Sequence, residues 1–414
     1  MSDAIQVVVA HKGAREHFLA ARALHRRGLL AQLVTDWYSP VSPAWAGRMK
    51  KLSPGLARAF GAFTKDLPRD RVRALNAFGL RSRWTLGRAD RQGRLLEAMG
   101  RDDQAFARRL AALPLPPHNV FMVYSYAALE ALEAEKARGK LTLVDQIDPG
   151  RTEWELLREE TERWPDYADL EAEPPAGYYE RAQAEWRVAH ITIVNSEWTR
   201  SALVRQGADP RRIEVIPLAY QPERGPPPEH TAPSGGLNVL WLGSVILRKG
   251  IAYLVEAARQ LLSEPVRFLV AGPIGIHEAA LRKAPPNVVW MGAVPRSEAQ
   301  RLYRSSDVFV LPTLSDGFAI TQVEALAHGL PVVTTPNCGA VVEDGRTGFI
   351  VPPRDAGRLA EAIRRFVRDP QLAGRMRSAC LEASGRFSLA SYGERLAAVM
   401  ARELAALRAG GAPT

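Results

Sequence analysis

The chain has 414 residues, 46% of them apolar and 24% charged, and a formal net charge of +10. These are the proportions of a water-soluble globular protein, and the length suits two or three domains with sizeable cores. Two cysteines, Cys338 and Cys380, build neither a disulfide framework nor a zinc site. No apolar run approaches the roughly 18 residues that would suggest a transmembrane helix. The first residues, MSDAIQVVVAHKGAR, open on a strand without the basic stretch of a signal peptide, so a cytoplasmic location is expected.

The positive charge is uneven. Residues 46–110 hold sixteen Lys/Arg against six Asp/Glu, an excess equal to the net charge of the whole chain. So localised an excess suggests an anionic surface as partner. Met49, Leu52, Leu56, Phe60 and Phe63 recur there at helical spacing, with Lys50, Lys51 and Arg58 off the stripe and Pro54-Gly55 interrupting it. A core-facing helix with a solvated basic side and an interfacial membrane helix fit this pattern equally.

In chain order, Ile5 to Val9 reads as a buried strand. A loop through His11, Lys12 and Gly13 follows, then a helix over 15–27 and a strand over 30–34. This is the opening βαβ unit of a doubly wound domain. Its loop is not a GxGxxG fingerprint, and the chain has no Walker-type phosphate loop. His11 suits either a strand end or a polar site. Further strands are expected at 120–124, 141–144, 191–194 and 213–217. The second of them runs into Asp145-Gln146-Ile147-Asp148-Pro149-Gly150. Residues 151–187 read as a helical insertion with Glu153, Trp154, Glu159, Glu160, Trp164 and Trp186. Aromatic faces suit sugars, and they equally suit packing between helices. Ser196 is placed to cap the next helix.

Pro222 to Gly236 contains five prolines and three glycines without periodicity, which marks a linker between comparable halves, residues 1–222 and 237–386. The second half restarts with a strand over 238–242. It breaks at Gly243-Ser244 and enters a helix at 251–262 through Arg248-Lys249-Gly250. Two fixed cations at a helix start suit a diphosphate, although solvated surface cations look the same in sequence. Strands follow at 268–272 and 288–292, and VEDGRTGFIVPP reads as turns and a short hairpin. The most informative stretch is 307–335, DVFVLPTLSDGFAITQVEALAHGLPVVTT, which reads strand, loop, helix, loop, strand. Ligands of parallel sheets sit at the carboxyl ends of strands, where residues 313–321 lie. Gly317 permits close backbone approach, and the helix start favours an anion. Glu324, eight residues after Asp316, suits a ribose diol. A loop acid and a solvated helix acid are the plain alternatives.

The stretch resembles the donor-site signature of retaining GT-B glycosyltransferases, in particular glycosyltransferase family 4. The matching residues are Pro312, Thr313, Asp316-Gly317-Phe318-Ala319, Glu324-Ala325 and Gly329-Leu330-Pro331-Val332-Val333. Asp316 stands where the family has Glu, and Ala319 where it has a second Gly. The resemblance implies a GT-B fold: two doubly wound Rossmann-like α/β domains facing across a cleft, with the segment from 387 crossing back onto the first. It implies sugar transfer from a nucleotide-sugar to a glycan or lipid-linked glycan, with retention. No Asp-x-Asp pair and no HExxH is present in the sequence, so no metal or other cofactor is expected. It implies a donor site of Gly13, Gly243, Ser244, Arg248, Lys249, Met291, Gly292, Val294, Asp316, Gly317, Phe318, Ala319, Ile320, Thr321 and Glu324. Backbone around Met291 to Val294 would hold the base. Arg248 would stand in for the guanidinium of the family's usual Gly-Arg, and Asp316 would contact the sugar.

The family often has a histidine near 145–148. Here Asp145 or Asp148 is the candidate for related work, with helix capping the plain alternative. Asp148 and Trp154 are the acceptor-side candidates. Two other functions fit parts of the sequence. A nucleotide-sugar epimerase shares the fold, and analysis of products from the donor alone distinguishes it. A nucleic-acid binder would use the basic segment, but no recognition motif accompanies that segment, so none is expected.

Overall fold

Strand Val7–His11 (β1) is fully buried, as are central strands that follow it in each sheet; helices cover both faces of the sheets they form. The structure is a computed structural model that describes residues 4–39, 66–168, 174–222 and 235–410. The stripe from Met49 to Phe63, with Lys50, Lys51 and Arg58, lies outside the described residues, as does the linker over 223–234.

Helix α1 (Leu19–Arg26) follows β1, then β2 (Leu30–Thr35), β3 (Val72–Ala74), α2 (Asn76–Asp90) and α3 (Leu95–Ala111). The first domain continues through β4 (Val120–Tyr124), α4 (Leu129–Ala137), β5 (Leu141–Gln146), α5 (Arg151–Arg163), α6 (Tyr178–Val188), β6 (Ile191–Val194), α7 (Glu197–Arg205) and β7 (Ile213–Val215). Its sheet is parallel throughout, in the order β3-β2-β1-β4-β5-β6-β7. Ser196 caps α7 as its sequence suggests, its hydroxyl accepting from the Thr199 amide.

The second domain runs β8 (Leu237–Leu242), α8 (Ile251–Gln260), β9 (Val266–Ala271), α9 (Glu278–Arg282), β10 (Val288–Gly292), α10 (Arg296–Arg304), β11 (Val308–Leu311), α11 (Ile320–Ala327), β12 (Val332–Thr334) and β13 (Gly348–Ile350), then α12 (Ala356–Arg368) and α13 (Leu372–Ser384). Its sheet is also parallel, in the order β10-β9-β8-β11-β12-β13. Two doubly wound domains of this kind make the GT-B fold.

The last helix, α14 (Leu389–Arg408), packs against α1 and β5 of the first domain. Its buried stripe runs Leu389, Tyr392, Leu396, Val399, Met400 and Leu404, at steps of three and four. Gly393 lies against Ala23, and a Cβ built there would stand 3.2 Å from the alanine methyl.

Two local expectations differ from the structure. The first helix starts at Leu19 rather than 15, because Glu16, His17 and Phe18 have φ of 54°, 51° and 59°. No right-handed helix contains such a run. The segment expected as a hairpin supplies β13 instead, a sixth parallel strand paired to β12. The expected turn is present, with the Thr347 amide donating to Glu343 O at 2.9 Å and the Gly345 amide to Gly348 O at 2.8 Å.

Candidate functional site

In both sheets the strand order reverses beside the first strand, between β1 and β4 and between β8 and β11. Crevices at such switch points are where open parallel sheets bind ligands. The loops after β8 and β11 are joined there. Arg248 O accepts from the Leu314 amide at 2.9 Å and from Thr313 Oγ1 at 3.1 Å. Gly250 has φ 76°, and a Cβ on it would fall 1.8 Å from Pro312 O. Only glycine permits this approach, which brings Lys249 to the β11 loop. The loop after β12 fixes the other side: Thr335 Oγ1 donates to Thr313 O at 2.6 Å and the Asp316 amide donates to Asn337 O at 2.9 Å.

These anchors bring together the residues that the sequence singled out. Lys249 Nζ pairs with Asp316 Oδ2. Arg248 Nη1 lies 3.9 Å from Asp316 Oδ1 and donates to Ser315 O at 3.0 Å. Helix α11 begins beside them. Its Gln322 amide turns back on Ala319 O. The amides of Ile320 and Thr321 belong to the first turn, which has no intrahelical carbonyl to offer them. Glu324 lies one turn on, with Tyr303 Oη donating to its Oε2 at 3.1 Å. Burial raises the Glu324 pKa, opposed by Tyr303 and by Arg296. Beside this cluster the glycines at the ends of β8, β9 and β10 abut. Gly272 donates to Gly292 O at 2.8 Å, and a Cβ on Gly272 would strike Gly243 O at 1.6 Å. Ser244 is exposed, while Met291, Gly292 and Val294 are half-buried on the same rim.

Two members of the motif face elsewhere. Phe318 is buried against Phe387, with ring centroids 5.9 Å apart, so its side chain anchors the loop. At Gly317 the close neighbour is the other domain: a Cβ would lie 2.4 Å from Ile147 O and 2.8 Å from the Asn195 side-chain nitrogen.

The first domain reaches this cluster through α5. Glu153 Oε2 accepts from Ser315 Oγ at 2.7 Å and lies 3.5 Å from Arg248 Nη1. Trp198 Nε1 donates to Ser315 Oγ at 3.0 Å. Two turns farther along the same helix, Glu160 accepts from Tyr253 Oη at 2.7 Å and stands 2.6 Å from Arg354 Nε. Burial pushes the Glu153 pKa up to about 7; Arg248 works against the shift, and Asp148 and Asp316 add to it. The sequence showed Glu153 only as one acid among several in the insertion. What identifies it is its place in the first turn of α5, whose carboxylates face the donor-domain loops.

The remaining first-domain candidates separate. The Gly13 amide donates to Asp36 Oδ1 at 2.6 Å, and the space beside its α-carbon is open. Neighbouring Lys12 pairs with Asp102 and Asp103; burial works to lower its pKa, but the two carboxylates outweigh it and the net shift is upward. His11 is 1% exposed, stacked 3.7 Å from the Tyr124 ring with Phe18 edge-on. Asp145 is 4% exposed, its pKa raised well above the carboxylate range by burial and by Glu16. Both side chains are closed off inside the first domain. Asp148 Oδ1 accepts from Tyr126 Oη at 2.7 Å and from the Gly150 amide at 2.9 Å, so it secures the entry to α5. Trp154 lines a cavity of about 160 Å³ with Asp148, Glu153 and Tyr178. Trp164 packs against Tyr253 across the domains, and Trp186 donates to Gln146 inside the first. Among the described residues no group of three or more His, Cys, Asp or Glu is arranged to hold a metal ion, and no helix is long and apolar enough to cross a membrane.

Residues 236–369 match the family described as Glycosyl transferases group 1. A D-inositol 3-phosphate glycosyltransferase of Mycobacterium sp. is 32% identical over 260 residues, 54% of this chain and 56% of that protein. The putative colanic acid biosynthesis glycosyltransferase WcaL of Salmonella typhimurium is 29% identical over 207 residues, 46% of this chain and 51% of that one. The chain thus spans about half the length of the curated relatives it matches. Among solved structures, the sucrose-phosphate synthase of Thermosynechococcus elongatus superposes with a TM-score of 0.62 at 18% identity, covering 97% of this chain and 100% of that one. Anabaena HepE in complex with UDP and glucose superposes with a TM-score of 0.56 at 16% identity, covering 96% and 99%. At those identities the likeness concerns the fold. The second domain is thus similar to the group 1 glycosyltransferases, and the two domains together carry the GT-B fold.

Proposed function

We propose that the protein transfers a sugar from a nucleotide-sugar to an acceptor hydroxyl, with retention and without a metal. The observation that carries this reading is the convergence of Arg248, Lys249, the start of α11 and Glu324 at one switch point. Arg248, Lys249 and the Ile320 and Thr321 amides hold the diphosphate, and their positive ends stabilise the charge that grows as it leaves. Glu324 accepts from the ribose, the backbone of Met291 to Val294 borders the base, and Asp316 orients the sugar. The departing phosphate oxygen takes the proton of the attacking hydroxyl on the same face. In the free protein Asp316 and Glu153 neutralise the two cations, so carboxylates stand where the phosphates will bind. Curated relatives are named as glycosyltransferases, and HepE is a structural neighbour solved with UDP and glucose.

A thermal-shift screen of UDP, GDP, ADP and dTDP against an oligonucleotide tests the reading. The matching nucleotide at about a hundred times its Kd adds roughly 2.7 kcal/mol of stability. Stabilisation by the oligonucleotide alone sinks the proposal. Formation of an epimerised or hydrolysed sugar from the donor, with no transfer, replaces it by the isomerase.

The raised pKa of Glu153 gives a pH signature. Its folded value, about 7, lies above the ordinary 4.5. The protonated side chain is therefore tolerated in the closed protein, and stability falls as pH rises from about 4.5 through about 7. At more than a kilocalorie per unit, the loss is on the order of 3 kcal/mol. Glu153→Gln should remove it. Relative to wild type, the variant gains melting temperature at pH 8 compared with pH 5. A difference that does not change with pH would place Glu153 in solvent.

The basic segment fits docking to an anionic membrane face. In its described part, Leu80 and Trp84 stand one turn apart on α2 at 57% and 65% exposure, and Arg88 lies over the Trp84 ring. Cations near an anionic leaflet contribute about 1 kcal/mol each. The protein should sediment with anionic but not neutral vesicles and release as salt rises, and Glu at Lys50, Lys51 and Arg58 should abolish binding. Wild type left in the supernatant at low salt would end this idea.

A further inference from the structure

Between α3, the loop after β4 and the start of α6 lies a cavity of about 390 Å³, within the range of small-molecule sites. It adjoins the 160 Å³ cavity beside Trp154, and Tyr126 and Tyr178 line both. Their rings stack with centroids 4.9 Å apart. Tyr126 has φ 71°, a left-handed conformation that a bulky residue adopts only when its surroundings impose it. Here they do. The Tyr126 amide donates to Glu185 Oε2 at 2.7 Å, and its carbonyl accepts from Arg181 Nε at 3.1 Å. Its hydroxyl donates to Asp148 at 2.7 Å. Glu185 is fully buried and also accepts from the Ala128 and Leu129 amides. A tyrosine on strained backbone with every polar atom bonded, at the junction of two cavities, is a built platform.

The charge around it is distinctive. In the larger cavity Arg101 and Arg181 meet Glu97 and Asp103. Arg181 is already held by Glu130, and Arg101 lies 3.8 Å from Glu97. The smaller cavity has Asp148 and Glu153 on its wall, and no lysine or arginine among its described lining residues. A phosphate here would have to take an arginine from its carboxylate and would face two further acids. Neutral polyols have the opposite match: ring faces for aromatics, hydroxyls for carboxylates. Glu153 also borders the donor cations, so a hydroxyl beside it is next to the leaving diphosphate.

We infer that this double cavity binds the acceptor as an uncharged pyranose glycan and discriminates against a phosphorylated one. The inference rests on the glycosyltransferase reading. It sets this chain apart from relatives whose name specifies inositol 3-phosphate.

The test uses the full chain saturated with the nucleoside diphosphate selected by the thermal-shift screen. Methyl pyranosides of glucose, galactose and mannose, and the corresponding hexose 6-phosphates, are titrated by calorimetry and ligand-observed NMR. At least one neutral glycoside should bind, and its 6-phosphate at least tenfold more weakly. Tyr178→Ala and, independently, Trp154→Ala should each weaken the glycoside at least tenfold while nucleotide affinity is retained. Equal or tighter binding of the phosphate overturns the inference. So does no binding of any neutral glycoside by a chain that binds nucleotide, or binding unaffected by both variants. If no nucleotide binds either, the glycosyltransferase reading itself falls.

Discussion

Lys249→Ala should lower turnover by roughly 10²- to 10³-fold, the usual effect of removing one preorganised donor to developing charge. Arg248→Ala should follow with a smaller loss, because Arg248 Nη1 stands 3.9 Å from Asp316 while Lys249 pairs with it directly. The charge they meet is greatest when the glycosidic bond breaks, so the loss belongs to kcat more than to KM. The ground state loses less. Asp316 keeps Arg248 as a neighbour when Lys249 is removed, and its backbone amide stays bonded to Asn337. The melting temperature should therefore move by only a few degrees. Full activity in EDTA accompanies this expectation, since the two cations do the work otherwise given to a divalent ion. Normal turnover with a large drop in melting temperature would make the pair structural. Strict dependence on added Mg²⁺ or Mn²⁺ would contradict the metal-free proposal.

How much of this site was legible in the sequence depended on which interactions are local. Val308–Leu311 and Ile320–Ala327 appear where the apolar run and the helical spacing place them. Both patterns come from burial of consecutive turns or of whole strands, which the sequence records directly. Lys249 and Asp316 were legible as members of a motif. Their pairing depends on Gly250 passing beside Pro312 O, a contact 62 residues apart in the chain. The left-handed run at Glu16–Phe18 was not legible, because Glu, His and Phe carry no preference for it and the rest of the fold imposes it. Tyr126 was missed for the same reason. Its importance comes from Glu185, Arg181 and Asp148, contributed by α6 and the loop after β5, and no short window of sequence contains them all. His11 and Asp145 looked like site residues because they stand at strand ends. Both strands are buried on both faces, and whether a strand end is closed depends on what distant segments pack over it, which composition does not record.

Glu324→Ala should weaken the nucleoside diphosphate by roughly ten- to a hundred-fold, the loss of one charge-assisted bond of about 1.5–3 kcal/mol. The structure sharpens the expectation by showing what holds the carboxylate. Tyr303 is 2% exposed and donates to Oε2, which leaves Oε1 to accept from a ribose hydroxyl. Glu324→Gln can keep an oxygen for Tyr303 but loses the charge, so its affinity should fall between those of wild type and the alanine variant. Tyr303→Phe keeps the charge but releases the side chain, and should lose a few-fold. Proton linkage provides an independent check. Burial holds the Glu324 pKa above its ordinary value in the free protein. A ribose diol donating to the carboxylate favours the ionised form and pulls the pKa down. Binding thus releases a proton, and affinity rises as pH increases through the raised pKa of the free protein. Calorimetry in buffers of different ionisation enthalpy detects that proton, and Glu324→Gln should lose it. If the alanine variant is folded and binds nucleotide as tightly as wild type, Glu324 has no part in the site and the ribose is held elsewhere.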